Sequence, residues 1–171
     1  NILEKIGIYL ISNTSKIISI ESLKTTFNLS YEAVSSYLEY FKEAFLNFEL
    51  LQFSYSLKNQ YKTLKKNYSA DTGLANAVSF KFSEDKGRIL EQSVFLELKR
   101  REEEIYYYKT NNNKEVDFLV KSKSKKQTLI QVCWDFTDEK TKNREIDALY
   151  QAMEELKINK GLILTYNFEN K

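Results

Sequence analysis

The stretch that decides the fold runs from residue 87 to residue 134, and it contains GRILEQSVFLELKRR (87–101), EVDF (115–118) and LIQVCW (129–134). A helix turns by about 100° per residue, so a helix over 87–101 places Val94, Phe95 and Leu98 on one stripe with Glu91 near its middle. The sequence therefore predicts a carboxylate on a helix face that enters the core.

Two short segments after this helix have the pattern of β-strands. Asp117 lies in an alternating run over 115–118, and the run over 129–134 is typical of a buried strand. This second strand places Gln131 and Cys133 on one face, and Ile130, Val132 and Trp134 on the other. A helix carboxylate, then a strand aspartate, then a polar pair on the next strand is the order in which the residues of one known metal site follow each other along the chain.

This order resembles the core of the PD-(D/E)xK phosphodiesterase superfamily, whose site has a helix Glu, a strand Asp and an (Asp/Glu)-x-Lys on the following strand. The phrases DTGLANAV, GRILEQSVFLELKRR, EVDFLV, LIQVCWDF and REIDALYQA are similar to the C-terminal module of a family of archaeal and bacterial AAA+-like ATPases. In that family a P-loop ATPase domain precedes a winged helix and a nuclease-like domain of unknown function. The similarity covers residues 65–166 well and the N-terminal part in outline.

Length and composition limit the classes of protein to which the chain can belong. The chain has 171 residues and 42% hydrophobic content, which suffices for one moderate domain or two small ones. The net charge of +2 gives no strong affinity for polyanions, and the single cysteine excludes an internal disulfide framework. No segment has the apolar length of a membrane span, and nothing resembles a signal peptide, so we expect a cytoplasmic protein that is part of a longer polypeptide.

The sequence lacks two features that several kinds of catalytic and binding site require. The chain has no histidine, which excludes Ser-His-Asp catalysis, Cys-His proteases and His-ligated metals. The four glycines, Gly7, Gly73, Gly87 and Gly161, lie far apart, so no glycine-rich phosphate loop exists. This chain therefore binds ATP only through a domain outside it.

The N-terminal residues 1–69 predict a winged helix-turn-helix domain. A first amphipathic helix ends near Ser12, a second covers Ile20 to residue 27, and Ser30 is the N-cap of the third. The apolar stripe of the third helix is Val34, Tyr37, Leu38, Phe41, Ala44 and Phe45. A two-stranded hairpin over 49–57 and 60–64, closing at Lys58 and Asn59, completes the pattern.

The charges of this domain leave DNA binding open. The exposed face of the third helix carries Glu32, Glu39 and Glu43 against Lys42, which is a poor set for reading a groove. The predicted wing instead carries the candidate nucleic-acid contacts, interleaved with tyrosines: Lys58, Lys62, Lys65 and Lys66. The alternatives are a solvated lysine edge that prevents aggregation and a protein-docking wing.

Residues 70–171 predict an α/β domain of the restriction-endonuclease-like type, so the whole chain is expected to be α+β. A connector with a loop over 80–86 leads to the Glu91 helix, which is followed by strands over 105–108, 115–121 and 129–134. A helix capped by Asp138 precedes a last buried strand over 161–166. The helix stripe is Ile146, Leu149, Tyr150, Met153 and Leu156. Strands and helices in this order form a mixed central sheet.

The resemblance assigns Glu91 and Asp117 to the first two ligands of a Mg²⁺ site. Gln131 stands where the acidic ligand belongs, and Cys133 stands where the lysine belongs. A neutral amide supplies no charge, and a thiol in an apolar strand does no general-base work on water, so the site is degenerate. The other lysines near the motif are no convincing substitutes: Lys99, Lys109, Lys114 and Lys121.

A structural interpretation stays open beside the catalytic one. Glu91 and Asp117 are then partners in a buried polar cluster, with Gln131 or with Arg144 at the start of the later helix, where Glu145 is its neighbour. The resemblance implies a DNA-binding or partner-binding module of a P-loop ATPase, with an inactive nuclease-like site. The alternatives are an active Mg²⁺-dependent DNA endonuclease using Glu91 and Asp117, and a pure protein-interaction module.

Overall fold

The computed structural model describes residues 1–78, 86–101, 103–124 and 126–166 and has an α+β architecture with two sheets. The loop predicted over 80–86 lies outside these residues except for Lys86, which begins a helix. No helix among the described residues is long and apolar enough to cross a membrane.

The first half contains α1 (Ile2–Ser12), β1 (Lys16–Ile18), α2 (Ile20–Phe27), α3 (Tyr31–Glu43), β2 (Asn47–Leu50), α4 (Leu57–Lys62) and β3 (Lys65–Ser69).

The first three helices form where the sequence predicts them, because each has a local start signal. The side chains of Ser19 and Ser30 accept hydrogen bonds from the backbone N–H groups of Ser22 and Ala33, which caps α2 and α3. The apolar faces of the helices meet in a cluster around Ile6, Leu10 and Phe41. The strands beside them form an antiparallel sheet in the order β1-β3-β2.

The predicted hairpin over 49–57 and 60–64 is wrong. Residues 57–62 form the helix α4, which Ser56 caps, and the strand that pairs with β2 is β3. The pairing places Leu50 opposite Lys66 and Phe48 opposite Tyr68. The error has a local cause, since the four-residue spacing between Leu57 and Tyr61 also fits a helix turn. Its consequence is that Lys66 lies in the middle strand of a sheet rather than in an exposed wing.

The third helix is shorter than its predicted stripe. It ends at Glu43, and Phe45 adopts a left-handed backbone conformation with a φ of 54°. The Phe45 side chain is 72% exposed, so it is not part of the core stripe.

The second half contains α5 (Thr72–Val78), α6 (Lys86–Arg100), β4 (Glu104–Lys109), β5 (Glu115–Lys121), β6 (Gln127–Cys133), α7 (Glu139–Leu156) and β7 (Gly161–Thr165). The predicted mixed sheet is present in the order β4-β5-β6-β7, in which only the β6–β7 pair is parallel. Leu129 packs in a cluster with α7, and its neighbour Ile130 packs with Phe95 of α6. Because adjacent strand residues point to opposite faces, the two helices cover opposite faces of the sheet.

The last strand is less buried than predicted. β7 lies at the edge of the sheet, and Leu162 and Leu164 remain 39% and 37% exposed. Exposed and half-buried residues alternate along β7 because α7 covers only one face of the strand. On that face Gly161 lies against α7, since a Cβ atom added to it would lie 2.8 Å from Met153 Sδ.

The two halves of the chain are joined along the opposite edge of this sheet. The N–H of Phe53 donates to the Tyr107 carbonyl at 2.8 Å, and the N–H of Tyr107 donates to the Leu51 carbonyl at 3.0 Å. The Tyr68 ring of β3 stacks on the Phe95 ring of α6, with centroids 4.0 Å apart and planes 10° apart. Residues 51–53 therefore extend the second sheet, and one aromatic core is shared between the halves.

The shared aromatic core gives a first prediction. We expect Phe95→Ala to lower the free energy of unfolding by about 3–5 kcal/mol, because it removes a fully buried ring that packs on Tyr68 and Phe118. The matched control, Phe45→Ala, should change stability by less than about 0.5 kcal/mol because that ring is exposed. Chemical denaturation of the two variants measures both values, and equal effects would contradict the packing described here.

Candidate functional site

The candidate site is built around the ammonium group of Lys66 from β3. Its Nζ atom lies 2.8 Å from Glu91 Oε1, 2.7 Å from Glu115 Oε1 and 3.2 Å from Asp117 Oδ1. The residue is 3% exposed, so the charge is almost fully removed from water. A buried ammonium is stable only when it is paired and hydrogen-bonded, and the three carboxylates meet this requirement.

The carboxylates come from two elements of the second half. Glu91 lies on α6, and Glu115 and Asp117 lie on β5. The β4–β5 ladder pairs Tyr106 with Leu119 but Tyr108 with Val116, so β5 carries one extra residue between Val116 and Leu119. This β-bulge interrupts the strict alternation of β5 at the position of Asp117, and bulges of this kind redirect side chains. The bulge thereby helps to place Asp117 at Lys66.

Tyr68 also forms a hydrogen bond with the Glu91 carboxylate. Its hydroxyl group donates a hydrogen bond to Glu91 Oε1 at 2.6 Å, and its ring is fully buried against Phe95. Burial raises the pKa of Tyr68 well above its ordinary value, and the negative charge of Glu91 adds to the rise. The hydroxyl group therefore stays protonated and acts as a donor.

The electrostatics of the site follow from burial and from an excess of carboxylates over cations. Burial raises the pKa of Glu91 to about 7, with a further contribution from Asp117 and opposition from Lys66. Burial also raises the pKa of Asp117, and the Lys66 ammonium opposes this rise. For Lys66 itself, burial lowers the pKa, but the three carboxylates outweigh it and hold the pKa above its ordinary value. Lys66 is therefore the permanent cation of the cluster.

Gln131 belongs to a second layer of the site. Its Oε1 atom accepts a hydrogen bond from the backbone N–H of Asp117 at 3.3 Å, and its Nε2 atom donates to Glu145 Oε2 at 2.5 Å. Glu145 in turn accepts from Arg144 Nη2 at 2.6 Å. Asp117 also accepts from the backbone N–H of Val132 at 2.9 Å. Gln131 thus ties β5 to α7, while its amide offers no charge to a ligand.

Cys133 has no catalytic environment. Its thiol donates to the carbonyl of Asp135 at 3.1 Å, and burial raises its pKa. A thiol with a raised pKa is a poor nucleophile.

The resemblance implies a Mg²⁺ ion at Glu91 and Asp117, and the residues present do not fit one. The ammonium group of Lys66 contacts both carboxylates directly and so takes the position that a metal ion would need. Within the described residues, no group of three or more His, Cys, Asp or Glu side chains has an arrangement that could hold a metal ion. The cation that neutralises this site is supplied by the chain itself.

The structure brings together some predicted site residues and separates others. Glu91, Asp117 and Gln131 converge, whereas Arg144 reaches only Glu145. Of the lysines predicted to contact nucleic acid, Lys66 is buried, and Lys65 pairs with Glu49 at 2.6 Å. The remaining two lysines of that set, Lys58 and Lys62, lie exposed on α4.

Sequence reasoning missed Lys66, Glu115 and Tyr68 as site residues. Three of the lysines named as possible substitutes do not contact these carboxylates in the pairs they form. Lys114 pairs with Asp147, Lys121 lies over the Phe53 ring, and Lys99 lies over the Phe48 ring. No local signal marks Lys66, because only the pairing of β3 in the middle of the first sheet determines its burial.

Comparison with known proteins finds relatives without an established function. Residues 86–170 match the family model "Domain of unknown function (DUF4143)", and residues 2–85 match "Domain of unknown function (DUF8612)". The chain is 44% identical over 175 residues to the uncharacterised protein MJ1544 of Methanocaldococcus jannaschii. This match covers 98% of the chain but only 38% of the relative. No solved structure matches.

The Lys66 cluster gives a second prediction. At about pH 7, we expect Lys66→Met to lower the free energy of unfolding by about 3–5 kcal/mol, because it leaves buried carboxylates without their cation. Lys62→Met is the matched control, and its effect should be below about 0.5 kcal/mol because Lys62 is exposed. A loss for Lys66→Met as small as that of the control would contradict the cluster.

The raised pKa of Glu91 sets the sign of the pH dependence. Its ordinary value is 4.5 and its value in the folded protein is about 7, so the folded state holds this proton more tightly than the unfolded state. This proton therefore stabilises the folded protein fully below pH 4.5, the ordinary pKa. The stabilisation is lost as the pH rises through about 7, the pKa in the folded state. Glu91→Gln should therefore flatten the stability curve across this window, as measured by denaturation at a series of pH values.

Proposed function

We propose that this chain is a non-catalytic binding module for a protein partner, and that its nuclease-like site serves as an internal ionic link. The observation that carries the proposal is the contact of Lys66 Nζ with Glu91, Glu115 and Asp117. A lysine from the first half of the chain thereby neutralises carboxylates from the second half. Phosphodiesterase chemistry needs carboxylates that are available to a metal ion, whereas these three carboxylates pair with an internal ammonium group, which supports the non-catalytic proposal.

Several features support a winged helix followed by a nuclease-like domain. The order α1-β1-α2-α3-β2-α4-β3 with an antiparallel sheet is that of a winged helix with one additional short helix, α4, between its last two strands. Glu91 on a helix, Asp117 on the next strand but one, and Gln131 on the adjacent strand follow the order of the PD-(D/E)xK superfamily. On this interpretation the module retains the frame of a nuclease site and uses it to hold two domains together.

The exposed surface favours a protein partner over DNA. Of the lysines predicted to bind nucleic acid, only Lys58 and Lys62 lie exposed, and Lys42 on α3 pairs with Glu39 at 3.0 Å. The α4 region instead exposes large apolar side chains: Tyr55, Leu57, Tyr61 and Leu64. Surfaces rich in tyrosine and leucine are typical of protein interfaces, whereas affinity for DNA depends on many phosphate contacts.

The resemblance to the C-terminal module of AAA+-like ATPases supplies the wider context. The uncharacterised relative extends well beyond the matched region, because the chain spans 38% of its length. We propose that the module belongs to a P-loop ATPase and carries its partner contacts.

A metal titration tests the absence of catalysis. We expect calorimetry with millimolar Mg²⁺ or Mn²⁺ to show no binding that depends on Asp117, because Lys66 neutralises that carboxylate. The comparison is an Asp117→Asn variant whose folding is checked by circular dichroism. Metal-dependent DNA cleavage that disappears in a folded Asp117→Asn protein would overturn the proposal and establish an endonuclease.

A DNA titration of the same protein separates the two classes of partner. A contact made through the two exposed lysines of α4 neutralises at most two phosphates, so its slope of log affinity against log salt should be no steeper than about −2. The control is Lys58→Glu with Lys62→Glu, which should remove this weak binding. Tight binding with a much steeper slope would show that DNA is the partner.

A further inference from the structure

A cleft with a volume of about 380 Å³ separates the helices α2 and α3 from the segment that contains α4. Ile20 of α2 and Leu38 of α3 line one side of the cleft, and Leu64, just after α4, is among the residues of the other side. The first sheet contributes Asn47 and Asn67 between them. The cleft therefore belongs to the first half of the chain and combines an apolar lining with a polar base.

Large side chains around this cleft are exposed to solvent. Tyr31 of α3 is 54% exposed and Tyr61 of α4 is 71% exposed, and both line the cleft. Leu64 and Leu57, which lies one helical turn before Tyr61, are exposed as well. A tyrosine ring exposed to this extent offers on the order of 100 Å² of surface. The two rings and the two leucines together supply roughly half of the about 800 Å² that each partner buries in a specific interface.

The α4 side of the cleft carries positive charge that no carboxylate of the described residues neutralises. Lys58 and Lys62 are four residues apart, so they lie on one face of α4. Both are exposed, and neither forms an ion pair within the part of the chain that the structure describes. The next lysine, Lys65, is different because Glu49 neutralises it at 2.6 Å.

The opposite side has an excess of carboxylate. Glu21 of α2 lines the cleft and pairs with Lys24 at 2.8 Å. Glu32 follows Tyr31 at the start of α3, and the lysine that acts on it is this same Lys24, which Glu21 already holds. Hydrogen bonds from its own backbone N–H and from the Ser30 hydroxyl hold the pKa of Glu32 below its ordinary value. Glu32 is therefore charged at neutral pH, and this side is negative.

A surface with opposite charges on its two sides is complementary to a second copy of itself. In a two-fold dimer the same patch lies on both chains, so each residue meets the same neighbour twice. An axis through the cleft places α4 of one copy against α3 of the other. Lys62 then faces Glu32 in two symmetric pairs, and the exposed rings of Tyr31 and Tyr61 meet near the axis. Charge and apolar surface are both matched in this arrangement.

We propose that the partner at this surface is a second copy of the chain, bound about a two-fold axis at the cleft between α3 and α4. This proposal rests on the proposed function, because it assigns the exposed surface of α4 to a protein contact and names the protein. The module then pairs with its own kind through Lys62 and Glu32, while the Lys66 cluster holds each copy together internally.

Sedimentation of the 171-residue chain over a range of concentrations tests the proposal. We expect a reversible equilibrium between monomer and dimer with a dissociation constant in the micromolar range, because the interface is of modest size. Well below that constant the chain is a monomer, so Lys62→Met remains a neutral comparison for stability there. Glu32→Lys and Lys62→Glu should each raise the dissociation constant by about tenfold or more, because each places like charges opposite one another twice.

Mixing the two variants gives the sharpest result. A chain with Lys62→Glu has carboxylates on both sides of the cleft, and a chain with Glu32→Lys has ammonium groups on both sides. Each variant repels itself, but the two are complementary to each other. An equimolar mixture should therefore form a heterodimer at concentrations at which either variant alone is a monomer.

The same two exchanges at the start of α7 are the matched controls. Glu139 lies in the first turn of α7 as Glu32 lies in the first turn of α3, and Lys140 is exposed beside it. Neither residue lines the cleft. Glu139→Lys and Lys140→Glu should leave the dissociation constant of the dimer unaltered. Circular dichroism checks that all four variants fold.

Four results would overturn the proposal. These are a monomer at every concentration, equal weakening by the cleft and α7 exchanges, failure of the mixed variants to associate, and growth into species larger than a dimer. None of them bears on the absence of catalysis or on the preference for protein over DNA, which the metal and DNA titrations decide separately. Failure here and failure of the proposed function are therefore distinguishable.

Discussion

The structure depends on one electrostatic constraint, the buried ammonium group of Lys66. A cation removed from water is stable only among negative partners, and Glu91, Glu115 and Asp117 supply them at 2.7 to 3.2 Å. The lysine belongs to the sheet of the first half, and the carboxylates belong to the helix and strand of the second. Separation of the halves would therefore break all three ion pairs at once. This requirement fixes β3 against α6 and β5, and it orients the Tyr68 and Phe95 rings that stack beside the cluster.

Under the proposed function, the same constraint accounts for a nuclease-like order of residues without nuclease chemistry. In a metal-dependent phosphodiesterase the carboxylates hold a divalent ion, and their charge is balanced only when that ion is bound. In this chain Lys66 is the cation at the three carboxylates, and in the proposed correspondence Cys133, a thiol whose pKa burial raises, stands at the position of the superfamily lysine. The exposed apolar side chains around α4 are not part of the ionic cluster, and under the proposed function they are the candidates for partner contacts.

Much of the fold could be predicted because its signals are local. Ser30 and Asp138 cap their helices as expected, and the apolar stripes of α1, α2 and α7 have the helical period. The site was only partly predictable. Glu91, Asp117 and Gln131 follow a known order, but Lys66 was assigned to an exposed wing because the segment over 49–64 was interpreted as a hairpin. A shift in strand pairing changes which residues face the core, and no property of the lysine itself reveals it. The β-bulge at Asp117 is equally non-local, since it is visible only in the pairing of β4 with β5.

The interaction between Lys66 and Glu91 is measured most directly by a double-mutant cycle. The free energy of unfolding is determined for the wild type, for Lys66→Met, for Glu91→Gln and for the double variant. We expect a coupling energy of about 1–3 kcal/mol, with the double variant more stable than the sum of the single changes implies, because each single change leaves a charge or dipole without its partner. Additivity to within about 0.5 kcal/mol would show that the two side chains do not interact and would contradict the account.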